Sequence, residues 1–107
     1  MSYTVRMADT AKQDLQKIAF WIAEQSKDVE TAKKFVGELR TECKRLEIFP
    51  FAGAFPKDHI LRSAGYRFIN CKDYLIFYLI DEEKKIIDVM AVFNAKKDYM
   101  RFMKRFV

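Results

Sequence analysis

The sequence predicts an α+β domain, a helical hairpin packed on a mainly antiparallel sheet, in the order β-α-α-β-β-β with a short closing helix. Three observations predict it. Two apolar stripes at helical spacing occupy residues 10–49. Three apolar stretches with strand character occupy residues 65–93. The connections between those stretches are two and four residues long, which favours hairpins over crossovers. Residues 1–107 are expected to share one domain and one core, because half are apolar, sixteen are aromatic, and Gly and Pro together number five.

Tyr3-Thr-Val-Arg-Met7 alternates apolar and polar side chains, as a strand with one buried face does. Thr10-Ala-Lys-Gln13 reads as a capping box, after which Leu15, Ile18, Ala19 and Ile22 repeat at helical spacing to about residue 25. Ser26-Lys-Asp28 breaks that pattern and offers a second cap. The next stripe, Ala32, Phe35, Val36, Leu39, Cys43, Leu46 and Phe49, defines a long helix that Pro50 ends. So short a link between two amphipathic helices predicts an antiparallel hairpin, with Gly37 marking a close contact inside it. Residues 50–56 read as a loop. Gly65–Cys71, Tyr74–Asp81 and Ile86–Phe93 are the three strands, and the nearly continuous apolar run of Tyr74–Ile80 marks the central one. From Ala95, the spacing of Tyr99, Phe102, Met103 and Phe106 predicts a final short helix.

Several function classes are excluded. Cys43 and Cys71 cannot make a disulfide framework, and no Cys/His cluster exists to bind a metal, so no cofactor or metal is expected. The longest apolar run is too short to cross a bilayer, and the first residues carry no basic segment followed by an apolar one. The cytoplasm is the expected compartment, with no membrane contact. The net charge of +5 is unevenly placed: residues 57–72 carry +3, residues 96–107 carry +4, and the remainder is net negative. Such a surface attracts a polyanion or an acidic protein.

Five segments occur in order along the chain: Phe49-Pro-Phe-Ala-Gly53, Leu61-Arg62, Gly65-Tyr-Arg67, Tyr74-Leu-Ile-Phe-Tyr-Leu-Ile-Asp81 and Val92-Phe-Asn-Ala-Lys-Lys-Asp98. Together they resemble the RelE/ParE superfamily of toxins from bacterial type II toxin–antitoxin systems, over essentially the whole length. The resemblance implies a RelE/ParE-like fold and a cognate antitoxin that silences the toxin. It also implies one of two targets: messenger RNA cut on the ribosome without a metal, in the RelE-like branch, or DNA gyrase, in the ParE-like branch.

RNA cleavage of the first kind needs a group to activate the 2′-OH, cations for the phosphorane and an acid for the leaving oxygen. The positions at which RelE-like enzymes keep Arg, Arg and Tyr fall here on Leu75, on Ala95 or Lys96, and near Arg101. A YafQ-like pair of Asp and His is half present: Asp73 matches, but the His position is Asn94, which carries no proton. The terminal His-Tyr pair of the YoeB-like arrangement is replaced by Arg105-Phe-Val107. ParE-like sequences need no such machinery, and Asn94-Ala-Lys-Lys-Asp98 stands where they show a His-x-Arg-Arg-Asp segment. The ParE-like reading is therefore preferred. RelE-like cleavage and a degenerate module that only binds antitoxin remain as alternatives.

The residues that would carry these activities follow from the same comparison. His59, Arg67, Asp73 and Lys97 are the weak catalytic candidates, His59 being the one histidine. Arg62, Arg67, Lys72, Asn94, Lys96 and Lys97 are candidates for contact with target or RNA, the two lysines because they follow a strand and open a helix. Tyr99, Phe102 and Phe106 are candidates for antitoxin binding beside a sheet edge. Each has a plainer reading: His59 as an exposed loop residue, Arg67 as partner of a carboxylate across the sheet, Tyr99 as core, Trp21 as cover for the helical hairpin, and both cysteines as small buried hydrophobes.

Overall fold

A computed structural model describes residues 2–98 and 104–106. The chain folds as β1 (Thr4–Met7), α1 (Asp9–Ser26), α2 (Val29–Lys44), α3 (His59–Ser63), β2 (Arg67–Cys71), β3 (Tyr74–Asp81) and β4 (Ile86–Asn94). The four strands lie in the order β1-β4-β3-β2, with β1 parallel to β4 and the other pairs antiparallel. The α1–α2 hairpin on one face of a mostly antiparallel sheet makes an α+β fold, as the periodicity predicts.

The α1–α2 link is two residues. Lys27 takes the left-handed conformation (φ 58°) that ends α1, and Asp28 opens α2 by accepting from the Glu30 N–H at 3.1 Å and the Thr31 hydroxyl at 2.8 Å. Because that turn is so tight, the two helices lie side by side and present one apolar surface. Ala11, Leu15 and Ile18 of α1 and Leu39 and Cys43 of α2 pack on Ile76, Tyr78, Ile87, Val89 and Val92 of the sheet. Past Lys44 the helix tightens into a 3-10 turn at Arg45–Glu47 and stops before Pro50.

The opposite sheet face is also apolar. Phe68, Phe77 and Phe93, one from each of β2, β3 and β4, stack with ring centroids 5.4 and 5.3 Å apart, and Leu61 and Tyr66 close over them. Tyr74–Ile80 is thus covered on both faces, as its continuous apolar run requires. The register of β3 against β4 slips between Phe77 and Tyr78, which face Ala91 and Val89, so that Met90 is the extra residue of a bulge.

Four local expectations are corrected. Thr10 does not cap α1: the helix begins at Asp9, and the Thr10 hydroxyl donates instead to the Met90 carbonyl at 2.6 Å. Gly37 marks no close contact, since a Cβ there would meet nothing within 4 Å. His59 lies not in a loop but at the start of α3, whose five residues are too few to show a helical period. No helix opens at Ala95: residues 95–98 form turns, and Lys104–Phe106 make a 3-10 turn. Tyr99, Phe102 and Met103, and the side chain of Phe106, lie outside the described residues.

Candidate functional site

Beyond Met7 the chain leaves the sheet for α1, while β4 continues to Asn94. Among the described residues, no strand flanks that last stretch of β4 on the β1 side. Side chains of α1 do so instead. Thr10 takes the Met90 carbonyl, and Asp14 Oδ2 accepts from the Val92 N–H at 2.9 Å. Asp14 Oδ1 accepts from Arg105 Nη2 at 2.6 Å, so one buried carboxylate ties α1, β4 and the C-terminal 3-10 turn together.

A cavity of about 360 Å³ opens beside this junction, lined on one side by Lys17 and Trp21 of α1 and on the other by Tyr74, Asn94, Lys97 and Arg105. Asn94 shapes its floor. Its Oδ1 accepts from the backbone N–H groups of Lys96 at 3.0 Å and Lys97 at 2.9 Å, and the Ala95 N–H donates to the Asp73 carbonyl at 2.9 Å. This Asx turn aims Lys97 back at α1, where its Nζ lies 3.9 Å from the centroid of the Trp21 ring. Burial pushes the Tyr74 hydroxyl above its ordinary range, against the pull of a hydrogen bond with Asn94, so at neutral pH it keeps its proton and is not a base. The lining offers cations, an amide, aromatic surface and the carboxylates of Asp14 and Asp98. It includes no histidine.

The residues expected to act together fall in three places. Asn94 and Lys97 line the cavity; Asp73 does not, and its backbone carbonyl accepts from the Ala95 N–H beside it. Lys72 lies at the β2–β3 turn, where it pairs with Glu38 and covers the Phe35 ring at 4.9 Å; the ammonium holds the Glu38 carboxyl below its usual range. His59, Arg62 and Arg67 belong to a third group around the loop after α2. Among the described residues Arg67 meets no carboxylate across the sheet; its Nη1 donates to the Gly53 carbonyl at 2.9 Å and its guanidinium lies over Phe55. His59 is exposed and does not line the cavity. The two lysines expected at a helix start are in an Asx turn, and their N–H groups are already satisfied by Asn94.

Asp14, Tyr74, Trp21 and Arg105 were not expected at a site. Asp14 had a signal: it lies on the Ala11–Leu15–Ile18 stripe, where a charge must find a partner. Trp21, expected only to cover the hairpin, lines the cavity. Among the described residues, no group of three or more His, Cys, Asp or Glu is placed to hold a metal ion, and no helix is long and apolar enough to cross a membrane.

The fold and this arrangement define a small α+β protein, a helical hairpin on a four-stranded sheet with a cavity where α1 meets the end of β4. The family model described as ParE toxin of type II toxin-antitoxin system, parDE, matches residues 5–99. The chain belongs to the ParE toxin family. No curated protein matches it in sequence. In structure it is similar to a chain of the chromosomal ParDE system from P. aeruginosa, with a TM-score of 0.74, 16% identity, and 89% of this chain and 98% of that one covered. It is also similar to a mutant RelE toxin from E. coli in the free state (TM-score 0.60, 18% identity, 100% of both chains). A chain of the RelBE2 toxin–antitoxin complex from Mycobacterium tuberculosis matches with a TM-score of 0.57 at 22% identity, over 88% of this chain and 99% of that one. At such identities the likeness establishes the fold.

Proposed function

We propose that this toxin acts as ParE-like proteins do, by inhibiting DNA gyrase through protein contact, and that a cognate antitoxin holds it inactive. The observation that carries the reading is the state of Asn94. At the position where a cleaving relative would need a proton-carrying histidine, this side chain is an amide committed to the backbone of Lys96 and Lys97. The surrounding groups agree with it: Tyr74 stays protonated, Leu75 is aliphatic on the central strand, and His59 lies on another element. The basic segment 96–107 supplies charge for an acidic antitoxin tail, with Tyr99, Phe102 and Phe106 as its apolar anchors.

The test is induction of the toxin alone. Growth arrest, relieved by the antitoxin gene, should come with DNA breaks and intact mRNA, and the purified protein should inhibit supercoiling by gyrase. Codon-dependent cuts in mRNA, mapped by primer extension soon after induction, would instead establish RelE-like cleavage. Unimpaired growth at high soluble expression would leave only an antitoxin-binding module.

A further inference from the structure

The segment after α2 exposes large apolar side chains and yet is held rigidly. Ile48, Phe49, Phe51, Phe55 and Ile60 are 48–71% exposed, a density of apolar surface that soluble monomers rarely show without an interaction to explain it. Mobility does not account for it. The Tyr78 hydroxyl, itself fully buried, accepts from the Gly53 N–H and donates to the Pro50 carbonyl, both at 2.9 Å. Ala54 and Phe68 exchange two backbone hydrogen bonds at 3.0 Å, which docks the loop on the outer edge of β2. Arg67 adds a third tie through Gly53, and its guanidinium lies 4.2 Å from the Phe55 centroid and 5.3 Å from that of Phe51. Arg62 approaches Phe55 from 5.5 Å. Beside this cluster, Phe49, Ala52, Ala54 and Phe68 line a groove of about 340 Å³ between the end of α2 and β2.

We infer that this phenylalanine–arginine face is the surface through which the toxin docks on its target, and that the docked surface of the target protein is acidic with a few apolar side chains. The inference rests on the gyrase reading above. Aromatic side chains preorganised beside arginine, with little entropy left to lose, are the composition of binding hot spots. The charge of the surroundings selects the partner: residues 57–67 carry Lys57, Arg62 and Arg67 against Asp58, a net +2, with Lys57 and Arg62 exposed. A second copy of this chain would bring like charges together. A single-stranded nucleic acid would need open ring faces to stack on, whereas two guanidinium groups lie over Phe55, and the remaining exposed apolar groups include aliphatic Ile48 and Ile60. The face is also built on β2 and α3, apart from the cavity beside α1 and β4.

The test measures binding of purified toxin to purified DNA gyrase and, separately, to the antitoxin. Phe49→Ala with Phe55→Ala should weaken gyrase binding about tenfold or more, chiefly through faster dissociation, and leave antitoxin affinity unchanged. Arg62→Glu, a surface change that spares folding, should slow association with gyrase at low salt. If wild type binds gyrase while both variants bind within about twofold of it, the face is not the docking surface. Loss of antitoxin affinity in place of gyrase affinity, or loss of binding to a single-stranded RNA oligonucleotide, overturns the inference equally. If wild type itself fails to bind gyrase, the gyrase reading falls first and this assignment with it.

Discussion

Tyr78 shows how much one side chain can organise. Its ring is fully buried against the helices, while its hydroxyl reaches through to the far loop and satisfies the Gly53 N–H and the Pro50 carbonyl. Gly53 is required by the same contact, since a Cβ there would lie 2.8 Å from the Phe68 carbonyl oxygen and closer still to the Tyr78 hydroxyl. Tyr78→Phe keeps the ring and strands two buried backbone groups, so it should cost about 1–3 kcal/mol. The urea midpoint reads that loss, and proteolysis within residues 50–55 should quicken. Gly37 is the opposite case. It lies inside α2 with open space where a Cβ would go. Gly37→Ala should therefore stabilise the protein by about 0.5–1 kcal/mol, seen as a raised urea midpoint with unchanged denaturant sensitivity.

At the scale of elements, the junction of α1, β4 and the C-terminal turn depends on Asp14. Asp14→Ala would leave the Val92 N–H without its acceptor and remove the carboxylate that meets Arg105 Nη2. A cost of about 2–4 kcal/mol is expected. Asp14→Asn retains an acceptor for Val92 and loses only the charge, so it should cost about half as much. In both variants trypsin should cut faster after Lys104 and Arg105, and equal cutting rates would show that the ion pair does not anchor that turn. This junction also separates what the sequence revealed from what it hid. The helical hairpin and β2–β4 were legible because burial repeats along each element with its own period. The roles of Thr10 and Asp14 were hidden because their partners, Met90 and Val92, are 80 and 78 residues away. Thr10 had every local mark of a helix cap, and a distant carbonyl claimed its hydroxyl. In the same way, nothing near Asn94 in the sequence marked it as the organiser of a turn, and the cation sites split into three groups because spacing along the chain says little about which strand ends meet.

The molecule as a whole is built on groups that stay neutral because they are buried. Burial pushes the Cys43 thiol from 9.0 up to about 12. Burial also raises the Cys71 thiol above 9.0 and the hydroxyls of Tyr66, Tyr74 and Tyr78 above 10.0. In each case the folded chain holds its proton more tightly than the unfolded chain does, so alkali favours unfolding. Stability should be at full strength below the unfolded thiol value of 9.0 and should fall as pH climbs through that value towards about 12. Every tenfold difference in proton affinity between the folded and unfolded chain is worth about 1.4 kcal/mol, so the loss from thiols and tyrosines together is on the order of a few kcal/mol. Urea melts taken from neutral to strongly alkaline pH measure it directly. Two further signals should accompany the loss: tyrosinate absorbance that for these three rings rises at higher pH in the folded chain than in the unfolded one, and Cys43 that resists thiol reagents in the native state and reacts at the rate of opening. A native thiol titrating near its ordinary value, or a urea midpoint that stays flat into strong alkali, would show that the core admits charge and that these five groups are not sealed by the packing described.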